Sequence, residues 1–253
     1  MQTEPAGHHA ADPDADARDA GIERVLVVTA HPDDVDFAAA GTVARWTDAG
    51  IEVVYCLVTS GEAGGSDRSV SRADMAELRR REQTAAAKCV GVHELVFLDH
   101  RDGRVEPSLA LRRDLTRVIR QFRPNRVLCQ PPERDLTRMY ASHPDHLASG
   151  AATLDAVYPD ARNPFAHMEL LDEGLEPWTV SEVYLMTLTA GDLVVDITDS
   201  IDRKIEALLS HESQIEDPAQ RSDLLRQWAA SVARGAGLGD GRFAEPFRRV
   251  DTA

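Results

Sequence analysis

Two short motifs carry the side chains that are best suited to chemistry. AHPDD, residues 30–34, ends one apolar run, and SHPDH, residues 142–146, lies in the loop after another. Together they supply His31, Asp33, Asp34, His143, Asp145 and His146. Two imidazoles and one carboxylate, with a fourth position left for water, are a common catalytic zinc set, and zinc would activate that water and polarise a carbonyl group. A remaining carboxylate could then act as general base, while a spare histidine could stabilise an oxyanion or protonate a leaving amine.

The surrounding elements must bring the two motifs together if they act jointly. Apolar runs predict strands and helical spacing predicts helices between them, with strands at 24–30, 51–60, 94–100 and 125–132 and helices at 35–49, 71–89 and 108–122. This alternation predicts an α/β fold, a Rossmann-like doubly wound, mostly parallel sheet with helices on both faces. In the strand order 3-2-1-4, strands one and four are neighbours, and the loops after them meet at the switch point where ligands bind. Both motifs should therefore converge on one crevice.

The rest of the chain is predicted to complete one domain. We expect a loop over 133–145 and a helix to about residue 157, and then an irregular stretch over 159–178. Two late strands, at 180–188 and 192–197, precede a helix over about 200–215, one more helix after Asp217 and a flexible glycine-rich segment. Residues 1–21 are acidic and rich in alanine, which predicts a disordered leader before a single domain over 22–253.

Composition excludes several classes of function. The formal net charge of −15 should repel nucleic acid and anionic membranes, and no apolar run is long enough to span a membrane. The start of the chain lacks the basic and apolar regions of a signal peptide. Three cysteines without paired spacing are typical of free thiols in a reducing compartment, so we expect a cytoplasmic protein. The oligomeric state leaves no trace in the sequence.

The same aspartates could instead have purely structural roles. Asp33 or Asp34 could merely cap one helix, and Asp145 could cap another, in a non-catalytic binding module without metal. A metal phosphoesterase is a further alternative, but such enzymes often use two metals, and here the ligands suffice for one. The glycine-rich turn of a dinucleotide site is missing after the first strand, which argues against an ordinary Rossmann cofactor.

The two motifs resemble those of the PIG-L/LmbE-like family of zinc-dependent N-deacetylases. Weaker blocks, from TSGEAGG (59–65) to AEPFR (244–248), extend this resemblance over nearly everything after the leader. The resemblance implies the family's LmbE-like fold and one Zn²⁺ per chain, with three ligands: His31, Asp34 and His146. It also implies that Asp33 is the general base, and that His143 steadies the oxyanion or protonates the amine while Asp145 orients His143.

Three further residues are weaker candidates for substrate binding. Glu62 lies in a glycine-rich loop that could either reach over the pocket or be a flexible turn. Arg79 resembles a family arginine that could reach a sugar hydroxyl, and a helix-surface pair with Glu82 is at least as good an explanation. Asp102 could touch the sugar, but its RDG context is also a good turn sequence.

The remaining chemical side chains receive no catalytic role. His211, in SHESQ, is a family feature for which a packed or capping histidine is the simplest explanation. Tyr140 stays outside the catalytic set because its register matches poorly. His8 and His9 fall in the leader and are expected to bind nothing, and three others are unassigned: His93, His100 and His167.

The resemblance favours hydrolysis of an N-acyl group, in particular N-acetyl, from an amino sugar or its conjugate. The variants left open are deacetylation of a glucosaminyl-inositol, cleavage of a mycothiol S-conjugate and deacylation of a sugar on a secondary metabolite. The expected partner is a small N-acylated molecule, with neither nucleic acid nor an integral membrane association.

Overall fold

A seven-stranded sheet forms the centre of the computed structural model, which describes residues 18–136, 139, 142–188 and 191–253. Its strands are β1 (Arg24–Thr29), β2 (Glu52–Thr59), β3 (Glu94–His100), β4 (Arg126–Cys129), β5 (Glu182–Met186), β6 (Leu193–Asp196) and β7 (Ala244–Asp251). They lie in the order β3-β2-β1-β4-β5-β7-β6. β1 to β5 run parallel, while β7 is antiparallel to both β5 and β6. The predicted mostly parallel sheet and the order of its first four strands are confirmed.

Helices cover both faces of this sheet. They are α1 (Asp34–Ala38), α2 (Ala40–Asp48), α3 (Arg72–Cys89), α4 (Leu109–Phe122), α5 (Pro144–Asp155), α6 (Glu169–Asp172), α7 (Ile201–Leu209) and α8 (Pro218–Gly235). Successive residues of β1 serve the two faces: Val25 and Val27 pack in the core under α2, α3 and α7, whereas Leu26 and Val28 pack under α4 and α5. A strand that is covered on both sides needs apolar residues at every position, which is why this run is continuous.

The helix predicted over 35–49 is in fact two helices, α1 and α2. The chain breaks at Ala39, whose φ is −143°, and Glu245 of β7 accepts hydrogen bonds from the amides of Gly41 (3.0 Å) and Thr42 (2.7 Å). This buried carboxylate satisfies amide groups that the first turn of α2 would otherwise leave unpaired. Lys204 of α7 donates to the same carboxylate (2.6 Å). A contact across more than 200 positions therefore decides where α2 begins.

Two other predictions on the late elements were wrong. The helix predicted over 200–215 ends at Leu209, and a 3₁₀ turn over Glu212–Gln214 follows it. β7 was missed altogether, because Pro246 and a run of charged residues hide its strand pattern. It lies between β5 and β6, where its proline is accommodated in antiparallel pairing.

Residues 1–17 of the predicted leader lie outside the described residues, so the boundary at residue 22 stays a prediction. Asp19, at the start of the described chain, accepts a hydrogen bond from the buried Arg126 (2.6 Å). No helix in the described ranges has the length and apolar character needed to cross a membrane.

Candidate metal centre and active site

β1 and β4 deliver the two motifs to one edge of the sheet. The strands pair in parallel, with Val28 opposite Cys129, and each motif lies beyond the carboxyl end of its strand. The ring centroids of His31 and His143 are 4.9 Å apart, those of His31 and His146 are 5.2 Å apart, and those of His143 and His146 are 5.3 Å apart. The structure thus brings three imidazoles together at the topological switch point.

The three predicted metal ligands, His31, Asp34 and His146, lie next to one another. Asp34 lies between the two histidines, with Oδ1 3.0 Å from His146 Nε2 and Oδ2 3.5 Å from His31 Nδ1. On its other side, His31 Nε2 lies 3.2 Å from Asp102 Oδ1 and 3.3 Å from Asp145 Oδ2. A ring N–H that is directed at carboxylates leaves the second nitrogen for a metal, which is the usual setting of a zinc-binding histidine. The donor set therefore fits Zn²⁺.

Two overlapping groups have potential ligand atoms that all lie within 4.8 Å of one another, and neither group includes Asp34. One joins His31 with His143 and His146, and the other joins His31 with Asp102 and Asp145. His31 is common to both groups, so it lies at the centre of the cluster. Asp102, which the sequence offered as a sugar-binding residue, contacts this central histidine.

The charges in this cluster shift one another's pKa values. Burial disfavours the charged form of His31, but hydrogen bonds to Asp102, Asp145 and Asp34 outweigh it and raise the pKa of His31 to about 12. Burial also disfavours ionisation of Asp34, yet the charge and hydrogen bond of His146 hold the pKa of Asp34 well below its usual value. The carboxylates thus remain ionised and stabilise positive charge at the centre of the cluster.

Asp33 is held in an unusual backbone conformation. Its φ of 81° lies in the left-handed region, which is costly for a residue with a Cβ atom. Its amide donates to Gln83 Oε1 (2.9 Å), while Arg79 Nη2 donates to Asp33 Oδ2 (2.8 Å) and to the carbonyl of Pro32 (2.6 Å). Burial raises the pKa of the Asp33 carboxyl to about 6, against the opposing charge of Arg79. Asp33 and Asp34 line the same cavity.

His143 forms the N-cap of α5 and presents one ring nitrogen away from the backbone. Its Nδ1 accepts the amide hydrogen of Asp145 (3.2 Å), so the proton of the neutral ring lies on Nε2. Burial and the charges of His31 and His146 lower the pKa of His143, which favours that neutral form. A neutral ring with a proton on Nε2 can donate a hydrogen bond to an oxyanion.

The carboxylate of Asp145 does not have the predicted partner. It accepts hydrogen bonds from the amides of Gly103 (2.7 Å) and Val105 (3.2 Å), and it faces His31. Within the described residues, Asp145 contacts the His143 ring through its main-chain amide, which donates to Nδ1. The idea that this carboxylate orients His143 is therefore corrected: the carboxylate orients His31.

Arg79 is buried against the first motif. Besides Asp33 and Pro32, it contacts the carbonyl of Gly61 (3.2 Å), and only 4% of its surface is exposed. The alternative surface pair with Glu82 is wrong, because Glu82 accepts hydrogen bonds from the amide and hydroxyl of Ser213. Arg79 thus supports Asp33, and its role in substrate binding stays a prediction.

Glu62 and Asp102 join the two loops that follow β2 and β3. Glu62 Oε1 accepts the amide hydrogen of Asp102 (2.9 Å), and Asp102 Oδ2 accepts that of Ala63 (2.8 Å). Neither residue, nor Arg79, is among the described residues that line the cavity. Their predicted contact with substrate is thus not seen, and their position indicates support of the His31 side of the site.

A cavity of about 570 Å³ opens beside Asp33, Asp34 and His146. The apolar side chains that also line it, the apolar wall, come from α1, β5, α7 and the segment after α7: Phe37, Met186, Leu208 and Ile215. Arginines also reach it, among them Arg221. Sequence reasoning did not predict this wall, because its residues come from distant parts of the chain.

Gln83, which sequence reasoning missed, has a direct role in the site through its bond to Asp33. It lies four residues after Arg79, so both side chains leave the same face of α3 and reach the same loop. That spacing is the one signal by which it could have been found. His211, predicted to be a packed histidine, is fully buried and contacts Asp36 of α1 (2.8 Å).

The other histidines lie away from the cluster. His100 contacts Asp114 and His167 contacts Asp160, each at 3.1 Å, and His93 is exposed. His8, His9 and Tyr140 lie outside the described residues.

Comparison with known proteins agrees with this geometry. The family PIG-L, described as GlcNAc-PI de-N-acetylase, matches residues 26–157. A diacetylchitobiose deacetylase of Thermococcus kodakarensis is 32% identical over 90% of this chain and 84% of its own length. A probable N-acetyl-alpha-D-glucosaminyl L-malate deacetylase 2 of Bacillus cereus is 31% identical over 76% of this chain and 84% of its own length.

A solved structure resembles the whole fold. N,N'-diacetylchitobiose deacetylase from Pyrococcus horikoshii, complexed with its inhibitor MPG, superposes with a TM-score of 0.85 and 31% identity, covering 92% of this chain and 86% of that one. The family match over residues 26–157 spans both histidine motifs. The chain therefore belongs to the PIG-L family of LmbE-like deacetylases and is a hydrolase of amide C–N bonds.

Proposed function

We propose that the protein is a zinc-dependent N-deacetylase that removes an acetyl group from an amino sugar or its conjugate. The observation that carries the proposal is that Asp34 contacts both His31 and His146, beside a cavity that Asp33, Asp34 and His146 line. The relatives named above as deacetylases support the choice of an N-acetyl substrate. When bound, zinc would supply an activated water and polarise the amide carbonyl.

Two of the chain's own residues would carry the proton chemistry. The Asp33 carboxylate faces the cavity and is fixed by Arg79, so it can accept the proton of the attacking water. His143, with its proton on Nε2, can stabilise the developing oxyanion by donating a hydrogen bond, and the proton that Asp33 has accepted can pass to the leaving amine. Asp145 and Asp102 would hold His31 in the orientation that metal binding needs.

The cavity supports a small conjugate as substrate. Its volume of about 570 Å³ is within the usual range of small-molecule pockets. Asp33, Asp34 and His146 line it together with the apolar wall, and this wall can take the less polar face of a sugar or the group attached to it. We infer that the acetamido group faces the carboxylates, while the remainder of the substrate extends along the apolar wall.

We also infer that the protein works in a reducing compartment, as the cytoplasm is. Cys56 and Cys129 are buried in the core as free thiols, and Cys89 is also unpaired. Burial raises the pKa of Cys56 and of Cys129 to about 12 in each case, which keeps both thiols protonated and unreactive.

The test is release of free amine from a panel of N-acetylated substrates, measured together with metal content. The panel comprises N-acetylglucosamine, N,N'-diacetylchitobiose, the inositol and malate conjugates of N-acetylglucosamine, and a thiol S-conjugate. We expect about one zinc per chain and release from at least one sugar, lost on chelation and restored by divalent metal. Protein that binds no metal and releases no amine would support the non-catalytic binding module instead. A metal content near two would support the phosphoesterase.

A further inference from the structure

Three fully buried polar side chains form a chain of hydrogen bonds behind Asp33. Gln83 Nε2 donates to Asp36 Oδ2 (2.9 Å), and His211 Nε2 donates to the same oxygen (2.8 Å). The other end of the Gln83 amide, Oε1, accepts the amide hydrogen of Asp33 (2.9 Å). Gln83, Asp36 and His211 each have 0% of their surface exposed. The network thus connects α3, α1 and the segment after α7 to the backbone of Asp33.

The orientation of each group in this network follows from its partners. Asp36 accepts only, so both nitrogens that face it must carry protons, which fixes the Gln83 amide and puts a proton on His211 Nε2. With its NH₂ group on Asp36, Gln83 can only present oxygen to the Asp33 amide. Reversing the Gln83 amide would set like groups against each other at both ends. The network therefore has one low-energy arrangement.

Asp33 needs such external support because its own conformation is unfavourable. A non-glycine residue at φ 81° is retained only where its surroundings over-determine it. Its amide has no turn of α1 to pair with, and Gln83 supplies the missing acceptor. Neither Gln83 nor Asp36 lines the cavity, so among the described residues the direct contact of Gln83 is with Asp33 rather than with space for substrate.

We propose that Gln83, held by Asp36 and His211, is the positioning residue that keeps Asp33 in its catalytic orientation. The proposal rests on the proposed function, in which Asp33 is the general base. It gives His211 a purpose beyond packing: this histidine fixes Asp36, which fixes Gln83. A displacement of about 1 Å at a catalytic group can cost on the order of a hundredfold in rate.

The test is a double-mutant cycle between Gln83→Met and Asp33→Asn. Methionine keeps the length of glutamine without its hydrogen bonds, so Gln83→Met should keep the metal content and KM and lower kcat by about tenfold to a hundredfold. If Gln83 acts through Asp33, adding Gln83→Met to Asp33→Asn should lower kcat little further. Effects that multiply in the double variant would show a general structural role and overturn the proposal. Loss of metal from Gln83→Met would also overturn it, because the network would then serve Asp34.

Two conservative variants keep the test decisive if Gln83→Met does not fold. Asp36→Asn retains one oxygen that can accept both hydrogen bonds, so its kcat should fall less than that of Gln83→Glu, and a larger fall would contradict the proposal. Gln83→Glu keeps an acceptor for Asp33 but faces Asp36 with a second carboxylate, so its kcat should fall, and the effect should combine non-additively with that of Asp33→Asn. An additive effect of Gln83→Glu would contradict the proposal.

Asn125→Leu is the matched control. The Asn125 side chain accepts hydrogen bonds from the amides of Glu23 (2.9 Å) and Arg24 (3.0 Å) at the opposite end of β1. It should lower thermal stability without changing kcat. Wild-type kcat in Gln83→Met beside an impaired Asp33→Asn would overturn only the positioning role, whereas wild-type kcat in Asp33→Asn would overturn the proposed general base itself.

Discussion

The two histidine motifs have nearly the same sequence but enter their helices differently. In HPDD, α1 begins at Asp34 and the left-handed Asp33 precedes it, with no side-chain cap. In HPDH, α5 begins two positions earlier in the motif, at Pro144, and His143 is the N-cap whose ring accepts the amide hydrogen of Asp145. The equivalent third residues, Asp33 and Asp145, therefore point to different tasks: one faces the cavity, and the other holds His31.

The difference shows how each loop is stabilised. The first loop is the one with HPDD (residues 31–34), and the second loop is the one with HPDH (residues 143–146). The second loop is stabilised largely by its own residues, since a capping side chain and a proline at the first helical position are local signals for a helix start. The first loop depends on Arg79 and Gln83, which reach it from α3. A residue in a strained backbone conformation such as that of Asp33 requires such distant support, whereas a helix cap does not.

The largest expected effect is loss of the metal. Substitutions in either histidine motif should cause it, because both motifs supply proposed ligands. Asp34→Ala from the first loop and His146→Ala from the second should each lose most bound zinc and with it the activity, because each removes one of three protein ligands. His143→Ala should keep the metal and lower kcat by about 10²–10³-fold through loss of an oxyanion donor. The test is to measure the zinc content and kcat of all three variants. If His143→Ala lost zinc as His146→Ala does, the three-histidine group would be the true ligand set.

The next effect separates neighbours within the first loop. Asp33→Asn keeps size but cannot accept a proton, so kcat should fall by about 10²–10⁴-fold while zinc content and folding stay near normal. Asp34→Asn should instead weaken zinc binding, because it removes charge from a ligand. Both quantities are measured on both variants. Zinc loss from Asp33→Asn with zinc retained by Asp34→Asn would mean that the two roles are exchanged.

A smaller effect distinguishes Asp145 from its counterpart Asp33. Asp145→Asn keeps the main-chain bond to His143 but removes a charge beside His31, so zinc affinity should fall by about tenfold to a hundredfold. Turnover at saturating zinc should change much less than in Asp33→Asn. Competition with a chelator measures the affinity. Unchanged zinc affinity together with reduced kcat would restore the original prediction that this carboxylate orients His143.

The smallest effect concerns the local stabilisation of the second loop. Pro144→Ala should lower the free energy of unfolding by about 0.4–1 kcal/mol, chiefly because the unfolded chain gains freedom. Urea unfolding measures this, and kcat should remain near that of the wild type because Pro144 has no proposed chemical role. A large loss of activity would show that Pro144 is needed to hold the catalytic geometry, and that the N-cap does not stabilise this loop by itself.

Much of this architecture can be read from the sequence. The apolar runs of β1 to β4 and the helices between them lead to the parallel sheet, and the sheet brings both motifs to one edge. These features follow from periodicity among near neighbours and from the restricted connections of parallel strands. The residue types of His31, Asp34 and His146 then suffice to suggest a metal.

Tertiary structure alone decided which buried polar groups meet. His31 and Asp145 are 114 positions apart, and Asp36 and His211 are 175 apart, so no local pattern pairs them. Distant contacts also decide where α2 begins, through Glu245, and how Asp33 is supported, through Gln83. The burial of Arg79 is decided in the same way. A polar group that is removed from water must find a partner wherever the folded chain supplies one, and that choice is settled by proximity in space rather than along the sequence.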